Sequence, residues 1–166
     1  MDQTKNSNGA ASRREFLKTS ATAMLSGLTL PAARAAESGI LRVGVIGCGG
    51  RGEAAAMNAM NAGKDVRIVA MGDILLDRIQ EKRTSLKLKY PNQVMVPDDH
   101  CFTGFQAYKH VIEASDVVII ANAAKFHSFH AKAAIEAGRH VFVEKPHAID
   151  PVGIQRLREA CDLAKQ

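Results

Sequence analysis

The stretch VGVIGCGGRG, Val43–Gly52, decides the fold. It holds the spacing G-x-G-x-x-G between an apolar run typical of a buried strand and an alanine-rich run typical of a helix. In this motif the first glycine makes a tight turn, the second lets the backbone approach a pyrophosphate, and the third lets helix and strand pack closely. The helix start also offers unpaired N–H groups to phosphate. The residues predicted to contact a dinucleotide here are Gly47, Cys48, Gly49, Gly50, Arg51 and Gly52.

An acidic residue follows at the expected distance. Asp73 stands 21 residues beyond Gly52, where a second apolar run ends, and a carboxylate there accepts hydrogen bonds from ribose hydroxyls. It would repel the 2′-phosphate of NADP, and residues 74–76 supply no arginine to receive that phosphate. We therefore expect NAD(H). NADP stays open because Arg51 could swing toward a 2′-phosphate, and Asp73 could also serve as a helix cap.

Apolar runs alternate with amphipathic ones along the chain, which is typical of a parallel sheet covered by helices on both faces. We predict a doubly wound α/β domain of the Rossmann type. In the second helix Leu75, Leu76 and Ile79 are expected to point inward, and residues 90–100 are expected to form a surface loop. The predicted strands are residues 40–47, 65–73, 101–103, 116–124 and 139–145, and the predicted helices are residues 52–63, 74–86, 105–112, 129–138 and 150–166.

The first 35 residues have the organisation of an export signal. Arg13 and Arg14 precede a mildly apolar stretch, residues 19–30, which is too short for a membrane span of about 20 residues. Ala33-Arg34-Ala35 then offers a small-x-small cleavage site. The twin arginine predicts the Tat pathway, the Tat machinery as a partner and a periplasmic location. A basic tail that matches by accident is the alternative. Residues 36–39 are predicted to be a linker.

Charge and cysteine usage exclude several classes of function. Residues 1–35 hold five basic and two acidic residues and so carry +3 of the formal net charge of +5. The remainder has no basic patch interleaved with aromatics, so we expect no nucleic-acid partner. Three cysteines at wide spacing, without C-x-x-C, predict neither an obligatory disulfide nor a zinc site. No metal site is expected among the histidines either: His100, His110 and His130 are predicted on the surface or at helix caps, and His140 as a hydrogen-bonded strand residue.

Two further segments, IIANAAKFH (119–127) and AGRHVFVEKPHA (137–148), complete a family pattern. With them, residues 40–166 resemble the N-terminal domain of the Gfo/Idh/MocA oxidoreductases. The resemblance implies a catalytic role for Lys145, a cofactor pocket shaped by Glu144 and by a Pro146 that is often cis, and a pocket histidine at His127. It also implies that Ala121, Asn122 and Ala123 line the cofactor, although Ala123 replaces the proline common in the family, so this loop is expected to be less rigid.

The resemblance implies hydride transfer between NAD(P) and a hydroxyl of a sugar or cyclitol, in an enzyme that can be a homo-oligomer. Lys145 would take or relay the hydroxyl proton. In the family a C-terminal α/β domain binds the sugar, and nothing in residues 40–166 corresponds to it. We therefore expect a truncated gene product or fragment that binds the dinucleotide with little or no activity by itself. The alternatives are a non-catalytic nucleotide-binding regulator and another Rossmann enzyme, such as a methyltransferase.

Overall fold

A computed structural model describes residues 39–165. Its sheet has five parallel strands in the order β3-β2-β1-β4-β5. The predicted doubly wound α/β fold is confirmed. The strands are β1 (Leu41–Ile46), β2 (Val66–Asp73), β3 (Cys101–Thr103), β4 (Val117–Ile120) and β5 (His140–Val143), and the helices are α1 (Gly50–Ala62), α2 (Leu76–Lys89), α3 (Ala107–Ala114), α4 (His127–Glu136) and α5 (Pro151–Leu163).

Alternation along the central strands builds a core on each face of the sheet. In β1, Val43 and Val45 pack beneath α1 and α2, while Ile46 packs toward α3 and α4. Neighbouring residues of a strand point to opposite faces, so a continuous apolar run is what a sheet buried on both faces requires. Helix α5 packs against α4, and Asp150 caps its start, because the Asp150 carboxylate accepts the Gly153 N–H at 2.6 Å.

Two local predictions were wrong. Leu75 and Leu76 do not face the core: they are 50% and 44% exposed, because α2 begins only at Leu76 and Ile79 is its first buried side chain. Residues 90–100 are not wholly a surface loop. Val94 pairs with Ile68 of β2 as an isolated bridge and, like Val96, is buried. The loop thus extends the core beside β2.

The amino-terminal edge of the sheet is held by an ion pair. The Arg42 guanidinium donates to both oxygens of Asp116, with Nη2–Oδ1 at 2.8 Å and Nε–Oδ2 at 3.2 Å, and the Arg42 N–H donates to Oδ2 at 3.1 Å. Burial alone would raise the pKa of Asp116, but the Arg42 donors hold it below its usual value. The pair joins the start of β1 to the start of β4, at the edge opposite the strand ends that receive ligands in this fold.

The predicted export signal and cleavage site lie outside the described residues. Within residues 39–165 no helix is long and apolar enough to cross a bilayer.

Candidate dinucleotide-binding site

The carboxyl ends of the five strands lie at one edge of the sheet. The Gly47 N–H after β1 donates to Gly72 O at 2.7 Å, and the Ala121 N–H after β4 donates to Ile46 O at 2.8 Å. On one flank the Glu144 N–H continues the ladder to Ile120 O at 2.9 Å. On the other flank Gly104, after β3, lies beside Asp73. From β1 the strands are added toward one side of the sheet as far as β3, and from β4 toward the other side. The boundary between β1 and β4 is therefore the switch point of the sheet, where ligands of open α/β sheets bind.

The glycine loop fits tightly against its surroundings except at its centre. Gly47 has φ +95°, and a Cβ there would collide with the backbone of Asn122. A Cβ on Gly52 would collide with the carbonyl oxygen of Gly47. A Cβ on Gly49, in contrast, would meet nothing within 4 Å. Gly47 and Gly52 are therefore required by close packing in the fold. Gly49 instead leaves open space beside the start of α1, where N–H groups lack intrahelical acceptors.

Asp73 is tied to the glycine loop. Its Oδ2 accepts the Cys48 N–H at 2.8 Å, and its Oδ1 accepts the Leu75 N–H at 3.2 Å. The side chain is 6% exposed, and the Arg78 Nη1 lies 3.7 Å from Oδ1. Asp73 is not the N-cap of α2, since the cap residue is Leu75. The carboxylate thus orients the loop as well as facing the cavity described next.

A cavity of about 730 Å³ opens at this edge. Its wall contains six of the predicted contact residues. Cys48 is not among them, because its side chain points into the core and its thiol lies 3.6 Å from Gly72 O. Burial raises the pKa of that thiol well above its usual value, so Cys48 is a core residue and no nucleophile. The predicted residues in the cavity wall are Gly47, Gly49, Asp73, Ala121, Asn122 and Ala123.

Aromatic side chains that the sequence reading missed form one wall of the cavity. His130 is buried, not on the surface or at a helix cap as predicted. Its ring stacks with those of Tyr108 and Phe126, at distances of 4.4 Å and 5.7 Å between ring centroids. Phe105 and Phe129 are exposed beside them. Burial, together with the nearby charge of His127, lowers the pKa of His130 to about 4. The signal available in the sequence was the placement of aromatics just after β3 and β4.

The segment after β5 approaches the glycine loop from the other side. Glu144 is buried, and its carboxylate pairs with the guanidinium of Arg51, which lowers the pKa of Glu144 against the opposing effect of burial. Lys145 is exposed at the carboxyl end of β5, and the bond to Pro146 is cis. Neither Lys145 nor Glu144 belongs to the wall of the 730 Å³ cavity. The predicted catalytic lysine thus follows directly after the partner of Arg51 and lies outside the wall of that cavity.

His127, the pocket histidine that the resemblance implied, lies outside the wall of the 730 Å³ cavity. It is buried at the start of α4, with Nδ1 2.8 Å from Pro146 O and Nε2 2.9 Å from Asn122 O. Both ring nitrogens face carbonyl oxygens, so the imidazole bridges the loop after β4 and the loop after β5. His140, predicted to be hydrogen-bonded within its strand, is exposed instead.

The residues present fit a dinucleotide. Asn122 donates its Nδ2 to His130 Nδ1 at 3.2 Å, while its Oδ1 is buried with no hydrogen-bond partner among the described residues. An unpaired buried acceptor calls for a donor, and a ligand hydroxyl or amide in the cavity would supply one. The open space at Gly49 has the position that the motif assigns to a pyrophosphate. No cluster of three metal-ligating side chains occurs among residues 39–165.

Comparison with known proteins agrees with this geometry. A sequence model of the Gfo/Idh/MocA group, described as an oxidoreductase family with an NAD-binding Rossmann fold, matches residues 41–166. A glycosyl hydrolase family 109 protein of Solibacter usitatus is 32% identical over 82% of this chain and 33% of its own length. A D-glucoside 3-dehydrogenase of Escherichia coli is 33% identical over 80% of this chain and 34% of its own length. The chain thus spans about a third of the length of these relatives.

Among solved structures, a scyllo-inositol dehydrogenase from Lactobacillus casei with bound NAD(H) and scyllo-inositol superposes with a TM-score of 0.60. It is 21% identical, and the match covers 76% of this chain and 34% of that one. This likeness supports the fold. The family match covers nearly all described residues, and the chain therefore belongs to the Gfo/Idh/MocA oxidoreductase family, which has an NAD-binding Rossmann fold.

Proposed function

We propose that this chain is the nucleotide-binding part of an NAD(P)-dependent oxidoreductase that acts on a hydroxyl of a sugar or cyclitol. One observation carries the proposal: the glycine loop, Asp73 and residues 121–123 converge on a single cavity at the switch point of the sheet. Relatives named as a D-glucoside dehydrogenase and a glycosyl hydrolase support a carbohydrate substrate.

In the proposed reaction a secondary alcohol loses hydride and a proton, R₂CHOH + NAD⁺ → R₂C=O + NADH + H⁺. The cofactor supplies the hydride acceptor. The start of α1 binds its phosphates, and Asp73 accepts hydrogen bonds from a ribose hydroxyl. Lys145 takes the hydroxyl proton as a general base. Glu144 and His127 act through Lys145 and Pro146, since they fix the segment that carries the lysine.

Turnover is proposed for a longer protein, since the match covers only about a third of the length of each relative. The 166-residue chain is proposed to bind the dinucleotide with little activity, and homo-oligomer formation belongs to that longer form. Export by the Tat pathway to the periplasm is supported by Arg13-Arg14, the apolar residues 19–30 and Ala33-Arg34-Ala35. Fusing residues 1–39 to a folded reporter would test export, and substitution of both arginines by lysine should abolish it.

A second candidate is a redox-neutral reaction, in which hydride returns to the substrate within one turnover. It is favoured by the relative named as a glycosyl hydrolase. The two candidates share the nucleotide site and differ in whether NADH accumulates.

The test is a titration of NADH and NADPH into the chain, followed by nicotinamide fluorescence and by calorimetry. The chain has no tryptophan, so energy transfer from tryptophan does not complicate the signal. We expect saturable NADH binding, weakened about tenfold or more by Asp73→Ala because ribose hydrogen bonds to a carboxylate are lost. A folded chain that binds neither nucleotide would contradict the proposal.

A further inference from the structure

We propose that Arg78 is a cofactor-specificity residue that lets this site accept NADPH as well as NADH, by pairing with the 2′-phosphate. This inference rests on the proposed dinucleotide function. It also changes the expectation from the sequence, which considered only residues 74–76 and the loop arginine, Arg51.

Arg78 has the required position. It is the third residue of α2, it lines the cavity, and its Nη1 lies 3.7 Å from the Asp73 carboxylate that would hold the adenine ribose. The side chain is 46% exposed. At 3.7 Å the contact is an ion pair without a hydrogen bond, so the guanidinium keeps its donors for a phosphate on the adjoining 2′-oxygen. Arginine can contact such a phosphate with two parallel hydrogen bonds.

The repulsion expected from Asp73 is reduced. Each carboxylate oxygen already accepts one backbone N–H, from Cys48 and from Leu75, and the side chain is 6% exposed. Hydrogen bonds from backbone N–H groups stabilise a carboxylate without removing its charge. The dipoles of these two N–H groups and the adjacent Arg78 guanidinium offset part of the field of Asp73 at a phosphate beside it, and the carboxylate can still accept a ribose hydroxyl.

The charge around the cavity favours an additional phosphate. The charged residues in its wall are one acid, Asp73, and four bases. Asp77, in the first turn of α2, is exposed and opposes the effect but does not line the cavity. Arg51 adds no positive charge to the cavity wall, because its guanidinium is paired with Glu144. The four bases are Arg78, Lys109, Lys125 and Arg156.

The experiment compares the full chain with Arg78→Gln and with a matched control, Lys87→Gln. Lys87 is an exposed base on the same helix that faces a different depression. We expect Arg78→Gln to weaken NADPH binding about tenfold and NADH binding by less than about twofold, since only the charged hydrogen bonds to the 2′-phosphate are lost. Arg78→Lys should fall between the two, and Lys87→Gln should change neither affinity.

A second pair of probes isolates the phosphate from the nicotinamide half. Adenosine 2′,5′-bisphosphate should bind the wild-type chain more tightly than AMP, and Arg78→Gln should remove most of that preference. Thermal melts establish that each variant is folded. If NADH binds but Arg78→Gln leaves the ratio of NADPH to NADH affinity unchanged, the role of Arg78 is wrong while the proposed function stands. If the folded wild-type chain binds neither nucleotide, both are wrong.

Discussion

The guanidinium of Arg51 is paired with the carboxylate of Glu144, 93 residues later in the chain. Arg51 belongs to the glycine loop at the start of α1, and Glu144 precedes the lysine for which we propose the proton-transfer role. The pair therefore joins the loop that we propose to bind phosphate to the segment that we propose to meet the nicotinamide. Its partners differ in exposure, with Arg51 61% and Glu144 9% exposed by side chain.

Glu144→Gln should lower stability in a pH-dependent way. Arg51 lowers the pKa of Glu144 in the folded chain, so the pair stabilises the fold above the unfolded pKa, about 4.3, and the effect is lost as pH falls through the folded value. At pH 7 we expect a loss of about 1 kcal/mol. Melts from pH 7 to pH 3.5 should show the difference from wild type shrinking. Glu81→Gln, in a surface pair with Lys82, is the control. A constant difference across the range would contradict a role for the charge.

His130→Phe should flatten the dependence of stability on pH. The folded pKa of His130 is about 4, below its ordinary 6.5, so between these values the unfolded chain binds a proton that the folded chain excludes. Wild-type stability should therefore fall as pH drops through that window. Phenylalanine keeps the stacking with Tyr108 and Phe126 and removes the titrating group. The melting temperature between pH 7 and pH 4.5 is the measurement. His140→Gln, on an exposed strand position, should retain the wild-type slope, and a wild-type slope in His130→Phe would refute the assignment.

Alanine substitutions in the glycine loop should separate fold from binding. Gly47→Ala combines a left-handed φ of +95° with a collision at Asn122, and should cost more than about 2 kcal/mol. Gly49→Ala places its methyl in open space, and should change stability by less than about 0.5 kcal/mol. It should nevertheless weaken NADH binding at least about tenfold, because the methyl occupies the pyrophosphate's approach. Denaturant melts and NADH titrations test both, and unaltered binding by a stable Gly49→Ala chain would count against the site.

Asp116→Asn should lower stability without weakening NADH binding, the opposite of what we expect for Gly49→Ala. It removes the charge partner of Arg42 at the amino-terminal edge of the sheet, and we expect a loss of about 2 kcal/mol from hydrogen bonds to a charged group. NADH affinity should stay within about twofold, since the pair is on the edge opposite the cavity. Weakened binding without a change in stability would show that the two edges are coupled.

The sequence was sufficient for the fold and for one side of the site. Strand alternation, the spacing of Gly47, Gly49 and Gly52, and the position of Asp73 depend on local periodicity, and the structure places them as that periodicity requires. Each of these features depends on residues that are close together in the sequence. A sequence can therefore report them directly.

Features that depend on distant contacts could not be read in this way. The partner of Arg51 lies across the sheet, and the burial of His130 depends on how α4 packs against α3. The position of Arg78 follows from where α2 starts, which is the least certain part of a periodicity argument. His127 contacts both the loop after β4 and the loop after β5. The residues next to His127 in the sequence do not indicate these contacts.

The most direct test of the central claim is a ¹⁵N–¹H correlation spectrum of the 17.9 kDa chain, recorded during titration with NADH. We predict that the largest shift changes fall on the amides of residues 47–52, 73–75 and 121–124, with those of Arg42 and Asp116 unchanged. Saturable changes confined to any other surface, or no changes in a spectrum typical of a folded domain, would contradict the assignment of this edge of the sheet as a dinucleotide site.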